Sequence, residues 1–204
     1  MAATMTALPD SIGQLAQLQN LYIGYTPLMA LPDSIGQLAQ LEVLGVMNTA
    51  LTALPESIGQ LRQLRKLSVR DSQLTTLPES IGHLRELREL WLSRNHLTEL
   101  PASIGHLTQL EQLSIDGNQL TTLPDTIGQL AQLEGLSFES NQLSSLPASL
   151  RHLPLLRMLY LHGNPKLNLP SEVLGPTHMD VSYSEGSVQA AKATDILEAY
   201  FGSD

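Results

Sequence analysis

Apolar residues in this chain follow two rhythms that alternate and return at one fixed interval. Residues 100–122, LPASIGHLTQLEQLSIDGNQLTT, show both. A Leu-Pro pair opens the stretch. The same pair stands at Leu8-Pro9, Leu31-Pro32, Leu54-Pro55, Leu77-Pro78, Leu123-Pro124, Leu146-Pro147 and Leu169-Pro170, and every interval is 23 residues. After Leu-Pro come an acid or a small residue, usually a Ser, and then Ile-Gly, as in Asp10-Ser11-Ile12-Gly13, Glu56-Ser57-Ile58-Gly59 and Asp125-Thr126-Ile127-Gly128. Proline favours the first helical position, and acids favour the positive end of the helix dipole. The three-residue spacing of Ile12, Leu15 and Leu18 predicts a short helical turn. The apolar positions then alternate, as at Leu87, Leu90 and Leu92, which predicts a short strand.

A fixed period of this length is the mark of a solenoid, whose copies stack because no single copy buries its apolar face alone. Stacking builds one parallel sheet with strands about 4.8 Å apart, and sets the helical pieces on the opposite side. Within residues 100–122 the spacing L-x-x-L-x-I-x-x-N-x-L runs from Leu110 through Leu113, Ile115 and Asn118 to Leu120. It resembles the leucine-rich repeat family, and the resemblance covers residues 8–169 in seven successive copies. The resemblance implies an α/β fold: a right-handed leucine-rich repeat solenoid (horseshoe), with the parallel β-sheet on the concave face and short helical turns on the convex face. We expect the solenoid to occupy residues 1–170. Residues 171–204 are expected to form a degenerate last coil and a C-terminal capping helix.

The copies differ in informative ways. Asn95, Asn118, Asn141 and Asn164 hold one position in the later copies, where Thr26, Thr49 and Ser72 stand earlier. An amide satisfies more turn backbone groups than a hydroxyl, so the N-terminal half is expected to open more easily. In copy seven Lys166 falls on an apolar slot and Leu167 comes one place late. Beyond Pro170 the period dissolves: Val173 and Leu174 can still pack like earlier isoleucines, residues 179–183 read as a degenerate strand and 184–187 as a turn or helix start. Between Val188 and Phe201 the apolar residues suit a one-sided helix. Its segment Asp195-Ile196-Leu197-Glu198-Ala199-Tyr200-Phe201 looks like the element that links bacterial leucine-rich repeats to a following domain in Roco-type proteins. At the other end Met5 already occupies a repeat leucine position, so the first coil is entered part-way and is expected to be uncapped. Missing upstream residues or a partner covering that end both account for it.

Composition narrows the function. There is no cysteine, hence no disulfide and no thiolate nucleophile or metal site. No run of 18 or more apolar residues and no signal-peptide pattern occurs at the start, so we expect no membrane partner and a cytoplasmic protein, or an exported effector acting inside a host cell. A net charge of −9 argues against nucleic acid. Seven of the eleven basic residues, Arg62, Arg65, Lys66, Arg70, Arg85, Arg88 and Arg94, are concentrated in two copies among interleaved acids. That belt reads equally as a solvated surface or as a contact for an acidic partner. His83, His106 and His152 replace a recurrent Gln and read as polar substitutes; no metal, cofactor, phosphate loop or catalytic grouping is expected.

Because the inward leucines are dictated by the fold, the outward strand residues carry the functional information. One row reads Tyr22, Gly45, Ser68, Trp91, Ser114, Ser137, Tyr160; the next Gly24, Met47, Arg70, Ser93, Asp116, Glu139, His162; and a third Tyr25, Asn48, Asp71, Arg94, Gly117, Ser140, Gly163. Aromatics and Arg dominate interface energetics. We therefore expect a non-catalytic module that binds a protein partner on its concave sheet through Tyr22, Tyr25, Met47, Arg70, Trp91, Arg94, Asp116, Glu139, Tyr160 and His162. A monomer is expected, with end-to-end association possible through the uncapped first coil. The alternative is a substrate-targeting domain of a larger enzyme, such as a Roco-type GTPase, a kinase or a bacterial effector ubiquitin ligase.

Overall fold

A computed structural model describes residues 5–177 and 191–202. Seven strands, β1 (Asn20–Gly24), β2 (Val43–Met47), β3 (Lys66–Arg70), β4 (Glu89–Trp91), β5 (Gln112–Ser114), β6 (Gly135–Ser137) and β7 (Met158–Tyr160), form one sheet in sequence order. Every neighbouring pair is parallel. Partners are always 23 residues apart, as in Leu67 with Leu90 and Leu90 with Leu113, so the sequence period is the coil. The chain is a right-handed solenoid with the sheet on the concave face and short 3₁₀ turns, such as Glu79–His83 and Asp125–Gln129, on the convex face.

These turns begin one residue later than the helical preference of proline suggests. Pro78 and Pro124 stay extended (ψ 150° and 142°) and act as the residue before the turn, which leaves the acid at its start. The Ile-Gly that follows reflects crowding between coils. A Cβ on Gly82 would lie 2.5 Å from the Ser103 carbonyl oxygen, so any side chain there would force adjacent turns apart.

The core is a continuous stack of Leu and Ile from Ile23 to Leu167, with Val46, Val69 and Phe138 taking one slot each. Asparagines bind successive coils together. Asn118 Oδ1 accepts from the Leu97 N–H at 3.0 Å, while its Nδ2 donates to the Leu92 and Ile115 carbonyls at 3.0 and 3.1 Å. Asn95, Asn141 and Asn164 repeat this pattern. The hydroxyls make less of it: Thr49 Oγ1 meets Ser72 Oγ at 2.9 Å and the Leu51 N–H at 3.4 Å.

Copy seven keeps its core despite the displaced leucine. A 3₁₀ turn at Pro165–Leu167 and a left-handed Asn168 (φ 52°) swing Leu167 inward, while Lys166 points to solvent. Helix α1 (Ser171–Leu174) then buries Leu174 as expected. The strand and turn expected at 179–187, together with Val188, lie outside the described residues. The last helix, α2 (Ala193–Phe201), starts later than the apolar pattern suggests. Its Ala193 N–H donates to the Arg157 carbonyl, Tyr200 Oη accepts from the Leu146 N–H at 3.1 Å, and Ile196 is fully buried. The opposite end is open among the described residues: Leu15 is 50 % exposed, whereas Leu38, one coil on, is fully buried.

Candidate functional site

Strand register aligns Tyr22, Gly45, Ser68, Trp91, Ser114, Ser137 and Tyr160 into one row across the sheet. The hydrogen-bond ladder continues past the short strands, through Arg94 N–H to the Asp116 carbonyl and Gly117 N–H to the Glu139 carbonyl. Arg70, Ser93, Asp116, Glu139 and His162 therefore run side by side in a second row. All the outward residues named from the sequence share this face, but they are not equally available. Tyr22 and Tyr25 are 70 % and 81 % exposed, and Met47 and Arg94 are exposed too. Arg70, Trp91, Asp116 and His162 are half-buried. Tyr160 and Glu139, at 4 % and 9 %, are buried. A row can be outward in register and still be covered by its neighbours.

Space from small neighbours decides how the aromatics lie. The Tyr22 ring lies over Gly45, whose missing Cβ would sit 2.7 Å from Cδ1. Trp91 is held from three sides: the Arg70 guanidinium is 4.6 Å from its ring centroid, the Lys66 ammonium 5.9 Å, and its Nε1–H donates to Glu89 Oε2 at 2.9 Å. Lys66 also pairs with Glu89 at 2.6 Å. Partial burial opposes the Glu89 charge, but Lys66, the indole N–H and Arg70 outweigh it and hold the carboxyl below its ordinary range. On β5 and its neighbours, Asp116 accepts from Ser114 Oγ (2.8 Å), Ser137 Oγ (2.5 Å) and the Glu139 N–H (2.9 Å). His162 Nδ1 lies 3.3 Å from Glu139 Oε1. Burial first, and the Glu139 charge second, push the Tyr160 phenol up.

Between the two large rings the row holds only Ser114 and Ser137, and the sheet dips into a recess of about 390 Å³. Trp91 and Glu89 bound it at β4, Tyr160 and Met158 at β7, and Gln112 and Gly135 complete its floor. Charge divides across the same sheet. In the rows that run through Lys66, Tyr22 and Arg70, β1–β3 carry Lys66 and Arg70 and no acid, while β4–β7 and their continuations at Ser93, Asp116, Glu139 and His162 carry Glu89, Asp116 and Glu139 and no Lys or Arg; in the third row Asp71 and Arg94 run the other way and pair with each other. Glu89, Gln112 and Met158 were missed as site residues. The signal available in the sequence was the run of small side chains between Trp91 and Tyr160.

The third row has unusual backbone geometry. Tyr25, Asn48, Asp71, Arg94 and Ser140 have φ between 49° and 57°, and Gly117 and Gly163 lie at 64° and 72°. Left-handed backbone at a non-glycine residue is uncommon, yet here it turns the side chain outward at the sheet edge. Three of the seven belt residues pair between coils, Lys66 with Glu89, Arg88 with Glu111 and Arg94 with Asp71 (3.1 Å), and exposed pairs of this kind contribute little energy. His83 and His106 stand on successive turns. Among the described residues no group of three or more His, Asp or Glu side chains is placed to hold a metal, and no helix is long and apolar enough to cross a membrane.

The family model described as "Leucine-rich repeat region" matches residues 1–69 and 55–174. A search of curated proteins finds no match. Among solved structures, a leucine-rich repeat protein of Leptospira interrogans superposes with a TM-score of 0.69 at 36% identity over 78% of this chain. The leucine-rich repeat domain of the type III effector XopL does so with 0.67 at 30% identity over 82% of this chain and 69% of its own. The ectodomain of the Arabidopsis thaliana receptor kinase GASSHO1/SCHENGEN3, solved in complex with CASPARIAN STRIP INTEGRITY FACTOR 2, gives 0.71 at 32% identity over 78% of this chain and 20% of its own. The chain spans 47% of the Leptospira protein.

Proposed function

The chain belongs to the leucine-rich repeat family, and from that premise we propose that it is a non-catalytic module that recognises a protein partner on the concave face of its sheet. The observation that carries this reading is the single outward row from Tyr22 through Trp91 to Tyr160, with Tyr22, Tyr25 and Met47 exposed beside it. Large apolar side chains left in water on one face of a sheet mark an interaction site. Trp91, pinned by Arg70 and Glu89, is the central anchor; its fixed ring loses little freedom on binding. Tyr22 and Tyr25 flank it, and Arg70, Arg94, Asp116, Glu139 and His162 set register and partner choice. Helix α2 closes the C-terminal end of the core and serves as its cap. The complex of the Arabidopsis ectodomain with CASPARIAN STRIP INTEGRITY FACTOR 2 supports partner binding by this fold.

A second reading has one observation behind it. XopL carries a comparable array as one domain of a type III effector, so this chain can equally choose substrates for a larger protein; recognition by the same face serves both readings. Affinity capture with wild-type protein, Trp91→Ala, Tyr22→Ala and the convex-face variant His83→Ala tests the proposal. A protein retained by wild type and His83→Ala but lost by both aromatic variants is expected. One retained equally by all four overturns the concave assignment.

A further inference from the structure

We infer that the flank of the third and fourth coils is a second docking surface, and that it takes a short acidic segment of a partner protein through Arg62, Arg65 and Arg85. This flank lies where the turns lead into the strands, apart from the concave row. Arg62 and Arg65 fall between the turn Glu56–Gln60 and β3, and Arg85 and Arg88 repeat them one coil on. The Arg88 N–H donates to the Arg65 carbonyl at 2.8 Å, which sets those two residues side by side. Arg62 Nη1 donates to the His83 carbonyl at 3.4 Å, and the same carbonyl accepts from the Arg85 N–H at 2.9 Å. All four arginines are exposed, so their guanidinium groups share one patch two coils wide.

Pairing separates this patch from the rest of the basic belt. Glu89 takes Lys66, Asp71 takes Arg94 and Glu111 takes Arg88, while Arg70 lies over Trp91. Among the described residues no ion pair joins Arg62, Arg65 or Arg85 to a carboxylate, Glu42 and Glu86 included. The repeat does not demand arginine here. The coils on either side hold Ala39 and Thr108 in place of Arg62 and Arg85, and Glu42 and Glu111 in place of Arg65 and Arg88. Like charges set opposite one another on neighbouring strands are destabilising, and at three of the four positions no carboxylate of this chain offsets that cost. An incoming carboxylate does, because the guanidinium fork binds it through two parallel bonds. Charge also limits the length of the occupant. Residues 62–94 hold seven Lys and Arg against four acids, whereas residues 1–61 hold none against four and residues 95–204 hold four against twelve. The patch is about 10 Å wide at two strand spacings. A nucleic acid would carry its phosphates on over acidic coils; a short Asp- or Glu-rich segment would not.

Fluorescence anisotropy at low salt tests this with labelled hexaglutamate, hexaglutamine and the oligonucleotide hexathymidylate. Hexaglutamate is expected to bind saturably, about tenfold or more tighter than the other two, and to weaken as salt is added. Arg62→Gln combined with Arg85→Gln is expected to lower its affinity about tenfold or more while melting like wild type, since both side chains are exposed. Arg157→Gln combined with Lys166→Gln removes the same charge from another part of the surface and is expected to stay within about twofold of wild type, as is Trp91→Ala. Absence of saturable hexaglutamate binding overturns the inference, and so does equal or tighter binding of hexaglutamine or hexathymidylate. Equal losses in the two charge-matched pairs also overturn it, as does a loss in Trp91→Ala, which would move the site to Lys66 and Arg70. Each such result leaves the concave-face reading to its own test, because that one turns on loss of a whole protein from Trp91→Ala and Tyr22→Ala.

Discussion

The guanidinium of Arg70 lies 4.6 Å from the centroid of the Trp91 ring, one strand away, while the ring nitrogen donates to Glu89. Trp91 thus joins two coils as well as offering a surface. Glu89 is the keystone, since it also holds Lys66.

This linkage has a pH signature. The folded-state pKa of Glu89 lies below its ordinary value, so its charged contacts contribute stability above the unfolded-state pKa and lose it as pH falls through the folded one. The melting difference between wild type and Glu89→Gln should be largest at neutral pH and shrink through the acid range. A difference constant with pH would show that the ion pair contributes nothing.

The asparagine ladder sets unequal coil stabilities. Asn118→Ala leaves the Leu97 N–H without its partner and removes one of the two amide donors to the Leu92 and Ile115 carbonyls, which keep Asn95 and Asn141, and should cost about 2 kcal/mol in urea unfolding. Thr49→Ala should cost about 1 kcal/mol, because its hydroxyl makes weaker contacts. Native-state hydrogen exchange should be faster at Leu51 than at Leu97, Leu120 and Leu143. Slower exchange in the first three copies than in the later ones would reject the ladder as the cause.

Two glycines in one row should respond differently to the same substitution. Gly117 and Gly163 both have positive φ, but a Cβ at Gly163 would lie 2.9 Å from Ser140 backbone atoms, whereas at Gly117 nothing comes nearer than 3.4 Å. Each Ala variant should cost about 1–2 kcal/mol for the left-handed backbone. Thermal melts should show the larger loss for Gly163→Ala, through its added clash.

The 23-residue period made most of this fold legible, because matching positions in successive copies had to become neighbours. Leu67, Leu90 and Leu113 align as the spacing requires, and the asparagines were recognisable as turn-satisfying groups. What stayed hidden depends on the side chain next door. Nothing local in Tyr160 or Glu139 says they are covered, since that follows from packing against their neighbours. The left-handed backbone at Tyr25 and Arg94 had a signal in Gly117, Gly163 and Asn48, the residue types that tolerate it. The late leucine of copy seven was visible, but its rescue by a 3₁₀ turn at Pro165–Leu167 was not. The pairing of the basic belt was legible only in kind: interleaved acids were evident, while the partners, such as Arg88 with Glu111, required the coils to be stacked.

The central claim is that the outward row centred on Trp91 does the recognising, and the affinity of a captured partner for wild type, Trp91→Ala and Tyr22→Ala measures it most directly. Trp91→Ala should weaken the dissociation constant by about thirtyfold or more, about 2 kcal/mol, and Tyr22→Ala should weaken it while leaving the melting temperature unchanged, since its ring is mostly in water. A partner that binds both variants as tightly as wild type would contradict the account.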